Sequence, residues 1–102
     1  MNFTHTLSDS KNWIINHKDQ LEINWSEKDI ELHLNKETSF NIYLLDQTNV
    51  KGALIGHFLY QDQKVSEFEI LHIAVLPEFR NQGLGRMILE AVSYTHLRAH
   101  ET

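Results

Sequence analysis

The sequence has no cysteine, one proline and four glycines in 102 residues. Without cysteine, a disulfide scaffold, a thiolate metal site and a Cys nucleophile are all excluded. No apolar run approaches the roughly 18 residues needed to span a bilayer, and the polar N-terminal segment is not a signal peptide. Positive charge is also scarce: 9 Lys+Arg stand against 14 Asp+Glu, a formal net charge of −5. Such an acidic chain is a poor general nucleic-acid binder. What is present, 41% hydrophobic with 23% charged residues, has the composition of one small soluble globular unit. The expected setting is the cytoplasm, with neither membrane nor nucleic acid as a direct partner.

There is no internal repeat, linker or low-complexity tract. Phe3 to Leu7 alternates like a short strand. Ser8 to Ser10 supply capping side chains, and Trp13, Ile14, His17 and Leu21 follow at helical spacing, predicting a helix of about ten residues. The next segment is two-sided. Ser26-Glu27-Lys28-Asp29 resembles a capping box with acids in the first turn, whereas Ile30, Leu32 and Leu34 alternate like a strand. Three strand-like runs follow: Phe40 to Leu45, Gly52 to Tyr60 and Phe68 to Leu76, with a turn at Asp62-Gln63-Lys64. The third run is apolar on both faces, with Phe68, Ile70 and Ala74 on one and Leu71, Ile73 and Val75 on the other. That pattern predicts a strand covered on both sides. Pro77 ends it. Leu84, Met87, Ile88 and Ala91 then mark an amphipathic helix.

The loop between that strand and that helix reads Arg80-Asn81-Gln82-Gly83-Leu84-Gly85-Arg86. A helix start presents backbone N–H groups without intrahelical partners and the positive end of the dipole. Glycines let an anion approach the backbone and arginines add charge, so the pattern suits a pyrophosphate cradle. It lacks the Gly-Lys-Ser/Thr of a Walker A loop and the G-x-G-x-x-G of a dinucleotide fingerprint. A plain turn with solvated arginines is the ordinary alternative.

From Glu69 through Val75, Pro77, Arg80, Gly83 and Gly85 to Leu89, the hydrophobic strand, V-x-P turn, R-x-x-G-x-G loop and helix stand in one register. This stretch resembles the acetyl-CoA motif of the GNAT N-acetyltransferases. Asn24-Trp25-Ser26-Glu27-Lys28 and the E-I-L-x-I-A-V strand are similar to bacterial ribosomal-protein-alanine N-acetyltransferases. The resemblance runs from about residue 8 to 92 and favours a helix over the 26–34 segment. It implies an α/β fold with a mixed, mostly antiparallel sheet flanked by helices. It also implies acetyl-CoA as cosubstrate, no metal, and a ribosomal-protein N-terminus as acceptor partner. Another amine (a lysine, polyamine or small molecule), or acyl-CoA binding without catalysis, is the alternative.

The resemblance assigns the backbone of Ile73, Ala74 and Val75 to the pantetheine arm, with the Val75 N–H facing the thioester carbonyl. The N–H groups of Asn81, Gln82, Gly83, Leu84, Gly85 and Arg86 would hold the pyrophosphate, supplemented by the side chains of Arg80 and Arg86. Glu69 occupies the strand position where some relatives carry a glutamate base; in ordinary terms it is a solvated carboxylate. His72, on the same strand, belongs to a type that titrates in the range of proton transfer, but is read first as a structural or exposed histidine. His57 is expected to pack, Trp25 to anchor packing with substrate contact as the lesser reading, and Gly56 to serve packing or a bulge. Attack by an amine on a thioester needs no acyl-enzyme, which agrees with the lack of cysteine.

The family domain continues beyond this helix with another strand, a helix and a hairpin. Here residues 93–102 do not match it and resemble a translated adapter sequence, so 1–92 are expected to be the N-terminal and central part of the domain and 93–102 a non-native tail. Tyr94 is accordingly not expected to be the acceptor-side tyrosine of the family. Without the next strand, residues 68–76 would form a long apolar edge, an aggregation hazard. As written, the chain is expected to be poorly soluble and inactive.

Overall fold

The structure, a computed structural model, describes residues 2–61, 66–93 and 97–101. The turn expected at Asp62-Gln63-Lys64, and Tyr94, lie outside the described residues. The elements in chain order are β1 (Asn2–Thr4), α1 (Ser10–Asn16), α2 (Glu27–Leu34), β2 (Ser39–Asp46), β3 (Asn49–Gln61), β4 (Ser66–Val75), a 3-10 turn (Pro77–Phe79), α3 (Leu84–Ser93) and β5 (Leu97–Glu101).

The two-sided 26–34 segment is helical because its cap closes. Ser26 Oγ accepts from the Asp29 backbone N–H at 3.1 Å, and Glu27 and Asp29 sit in the first turn. Ile30 and His33 are buried while Leu32 is 54% exposed, so the alternation of apolar residues there was incidental. The first helix is shorter than expected. Past Asn16 the bonds are irregular, Lys18 N to Ile15 O and then Ile23 N to Lys18 O, with Glu22 left-handed at φ 59. Leu21 is nevertheless buried.

The strands form one five-stranded sheet in the order β1-β2-β3-β4-β5, antiparallel throughout except for the parallel β4–β5 pair. One face carries Tyr43, Ala53 and Ile55 against Ile14 of α1 and Ile30 of α2. The other carries Ile42, Leu44, Leu54, Phe68 and Ile70 against Leu84, Ile88 and Val92 of α3. Met87, expected on the buried stripe of α3, is 37% exposed. The helix turns Val92 inward instead.

One expectation about β4 is corrected. Ile55 pairs with His72 but the next residue, Gly56, pairs with Ile70, leaving Leu71 as the extra residue of a β-bulge. A bulge inserts one residue and reverses the facing of everything beyond it. Phe68 and Ile70 therefore share the α3 face with Ile73 and Val75, while Ala74 packs on the α1–α2 side. Gly56 serves both expected purposes: it sits at the shift, and a Cβ there would lie 2.3 Å from Phe68 Cζ and 2.5 Å from Glu69 O.

A second expectation is also corrected. β4 is not unpaired along its whole outer edge, because Leu97–Glu101 run parallel to Ser66–Ile70. The open part begins at the bulge.

Candidate active site

Hydrogen-bond geometry at the end of β4 fixes what its backbone offers. Leu76 N donates to Lys51 O at 2.9 Å, so the Gly52–Val75 pair is of the type that exchanges no bonds. Backbone groups alternate sides along a strand, so the N–H and C=O of Val75 and Ile73 point away from β3 and those of Ala74 point into the ladder. Among the described residues, no strand lies beside Ile73–Val75 on that outer side.

The chain then turns. Asn81 and Gly83 take left-handed conformations, φ 65 and φ 75, on either side of the exposed Gln82. They bring the start of α3 against the end of β4: a Cβ on Gly85 would lie 4.0 Å from Val75 Cγ2. At Gly83 a Cβ would meet nothing within 4 Å, so the loop faces open space. Met87 N donates to Gly83 O at 3.2 Å. The N–H groups of Leu84, Gly85 and Arg86 precede that bond and have no partner within the helix. Together with the dipole they make an anion-binding end. The Leu84 side chain is buried, so its contribution there is backbone alone.

The two arginines are engaged unequally. Arg80 Nε donates to Val75 O at 3.0 Å and Nη2 to Gln20 O at 2.9 Å, with Glu22 3.8 Å from Nη1. Its fork thus ties the strand end to the segment between α1 and α2. Arg86 is solvated and bonded to Glu90 at 3.2 Å one turn on.

On the α2 face, Glu69 and the bulged Leu71 stand two residues apart on β4. Glu69 Oε1 accepts from His57 Nε2 at 2.7 Å, across a directly opposed pair of β3 and β4. His72 Nε2 donates to Leu21 O at 2.7 Å, a structural tie as expected. Trp25 packs edge-on against His33, ring centroids 5.5 Å apart. With Asp29, Leu32, Lys36 and Leu71 these two rings line an open groove of about 610 Å³. His33 Nε2 faces Asn41 Oδ1 and Ser39 Oγ, each at 3.1 Å, and Asn41 Nδ2 donates to the same Ser39 oxygen. Burial lowers the His33 pKa, the Asn41 bond opposes this, and nearby His57 and Lys36 lower it further.

The strand edge, the loop and Glu69 singled out in the sequence lie on β4 and at the start of α3. Sequence reasoning missed the His33–Ser39–Asn41 cluster, the His57–Glu69 pair and the tie from Arg80 to Gln20. The only local signal for the first was the spacing of His33 on α2, one turn beyond Ile30.

A strand edge that runs open into a glycine-bearing helix start forms the candidate site. The chain belongs to the acetyltransferase (GNAT) family, whose model matches residues 4–101. No curated protein sequence matches the chain. Its fold is similar to that of the ribosomal-protein-S18-alanine N-acetyltransferase from Escherichia coli, with TM-score 0.74 and 21% identity over 92% of this chain and 57% of that one. It is also similar to an aminoglycoside acetyltransferase from an uncultured soil metagenomic sample (TM-score 0.71, 16% identity, 99% and 76% covered). A GNAT family acetyltransferase from Staphylococcus aureus shares the fold too (TM-score 0.68, 18% identity, 100% and 88% covered). The chain thus spans 57% of the length of the Escherichia coli enzyme.

Proposed function

We propose that this chain provides the cofactor side of an acetyl-CoA-dependent N-acetyltransferase, with the N-terminal alanine of a ribosomal protein as acceptor. The carrying observation is the continuity between the outward backbone groups of Ile73 and Val75 and the open N-terminus of α3 at Gly83. The residues fit acetyl-CoA. An amide-bearing pantetheine arm complements a strand edge, and a pyrophosphate complements free helical N–H groups.

Acetyl-CoA supplies the activated acetyl group. The outward N–H of Val75 is placed to stabilise charge on a carbonyl beside it. Asn81, Gln82, Gly83, Leu84, Gly85 and Arg86 offer backbone donors to the diphosphate. Arg86 adds an exposed charge, and Arg80 shapes the loop through Val75 and Gln20. Glu69 is proposed to take the proton released by the amine, directly or through water. An α-amino group titrates at about 7.7–8.0 and a lysine at about 10.4, so an α-amine acceptor demands less of that base. The groove lined by Trp25, Leu71 and Asp29 is proposed as the acceptor's place.

The test is mass spectrometry of Ala-starting, Ser-starting and lysine-containing peptides, and of an aminoglycoside, each incubated with the chain and acetyl-CoA. Acetylation restricted to the α-amine of Ala-starting peptides supports the proposal. Modification of lysine or the aminoglycoside alone moves the acceptor to another class. Acetyl-CoA binding without transfer to any amine reduces the chain to a binding fragment.

A further inference from the structure

A row of polar side chains crosses the sheet beneath α2, and of it the proposed function uses Glu69 alone. Ser39 of β2 opposes His57 of β3, and His57 opposes Glu69 of β4. All three face the helix that carries His33. Glu69 Oε1 and His57 Nε2 are 2.7 Å apart, and their side chains retain 25% and 23% of their exposure. They are thus partly withdrawn from water but not sealed from it.

From this geometry we infer that His57 is a positioning residue, which holds the Glu69 carboxylate in one orientation by donating a hydrogen bond from Nε2 across the β3–β4 ladder. The inference rests on the reading of Glu69 as the proton acceptor. Three observations carry it. A carboxylate oxygen only accepts, so Nε2 carries the proton and the tautomer is fixed. A glutamate has three rotatable side-chain bonds, and on a strand next to a bulge nothing in its own sequence fixes its head group. A direct cross-strand partner does. Finally, His57 lies on β3, flanked by Gly56, where the backbones pack too closely for any Cβ. The donor is therefore held beside the bulge, directly opposite Glu69 in the ladder. This is the arrangement by which a second group orients a proton-transfer residue. The charged and titratable groups nearby are Glu69 from β4, His33 from α2 and Lys36 just past the end of that helix. The carboxylate is the one in hydrogen-bond contact.

The experiment compares the full chain with His57→Ala, His57→Gln and Glu69→Gln. It measures kcat and KM for acetyl-CoA with an Ala-starting peptide, and the imidazole ¹⁵N spectrum. His57→Ala should lower kcat on the order of tenfold with KM for acetyl-CoA unchanged. His57→Gln places an amide donor near the same point and should recover most of that loss. In the spectrum, wild-type His57 should show the single Nε2–H tautomer, and Glu69→Gln should release it to a mixture. Wild-type kcat in His57→Ala, with Glu69→Gln impaired, overturns this inference alone. Wild-type kcat in Glu69→Gln overturns the base assignment and the inference with it. A mixed tautomer in the unaltered chain overturns the inference whether or not any amine is acetylated. Coincident unfolding midpoints of His57→Gln and wild type keep the comparison free of folding effects.

Discussion

Arg80 donates from Nε to the carbonyl of Val75 at 3.0 Å, closing the last outward acceptor on the strand edge. The same guanidinium reaches Gln20 O at 2.9 Å, and His72 holds the neighbouring Leu21 O at 2.7 Å. The segment between α1 and α2 is therefore pinned at adjacent carbonyls by side chains from the strand and loop of the cofactor side. Arg80→Ala should destabilise the fold by about 1–3 kcal/mol for the two bonds lost, with the exposed Glu22 pair adding little. Arg80→Lys should not restore it, since an ammonium cannot span both carbonyls as the fork does. Urea midpoints of the three proteins check this.

The glycines separate packing from binding. Gly56 meets backbone oxygen and an aromatic ring within 2.5 Å of its missing Cβ. Gly56→Ala should therefore cost about 3 kcal/mol, the upper end for overpacking, seen as a large fall in urea midpoint. At Gly83 the space is open but φ is 75, so Gly83→Ala should cost only about 1–2 kcal/mol of backbone strain. Its methyl group would stand where an anion approaches. Calorimetry should show weaker acetyl-CoA binding in a protein that still unfolds cooperatively.

Stability should depend on pH from both sides. Burial depresses the His33 pKa below 6.5, so the unfolded chain binds the proton more tightly. The stability contributed is complete above about pH 6.5 and is lost as pH falls toward the folded value. Tyr43 is the opposite case: burial raises its pKa above 10.0, offset in part by neighbouring Ser10, and its hydroxyl is buried without a closed hydrogen bond. That contribution is present below about pH 10 and is lost above it. Unfolding midpoints across this range should fall at both ends. His33→Gln should flatten the acid side selectively.

Much of this was legible in the sequence. The strand apolar on both sides, Pro77 and the glycine-bearing loop each follow from local chemistry, the Ser26 cap was one of two local readings, and the structure places all four in the expected order. The bulge at Leu71 was not legible. It arises from pairing with Gly56, fifteen residues away in the chain, and a hydrophobic run reads the same with or without it. The bonds of Arg80 were not legible for a similar reason. Its carbonyl partner on Gln20 is sixty residues distant, and charge beside a glycine loop suggests phosphate before it suggests backbone. His57 and Glu69 meet only because β3 and β4 are in one particular register.

That register makes a prediction at the level of single amides. Leu76 N–H is bonded to Lys51 O, whereas the N–H groups of Ile73 and Val75 point to the outer side, where no strand lies among the described residues. In hydrogen-exchange NMR, Ala74 and Leu76 should be protected while Ile73 and Val75 exchange quickly, an alternation confined to residues beyond the bulge. Acetyl-CoA should slow Ile73 and Val75 without changing Ala74, because only a ligand lying along the edge meets the outward amides. A ligand held solely at the start of α3 would leave them fast. Uniform slowing of all four would indicate global stabilisation by binding elsewhere, so the pattern, rather than the size of the effect, locates the pantetheine arm.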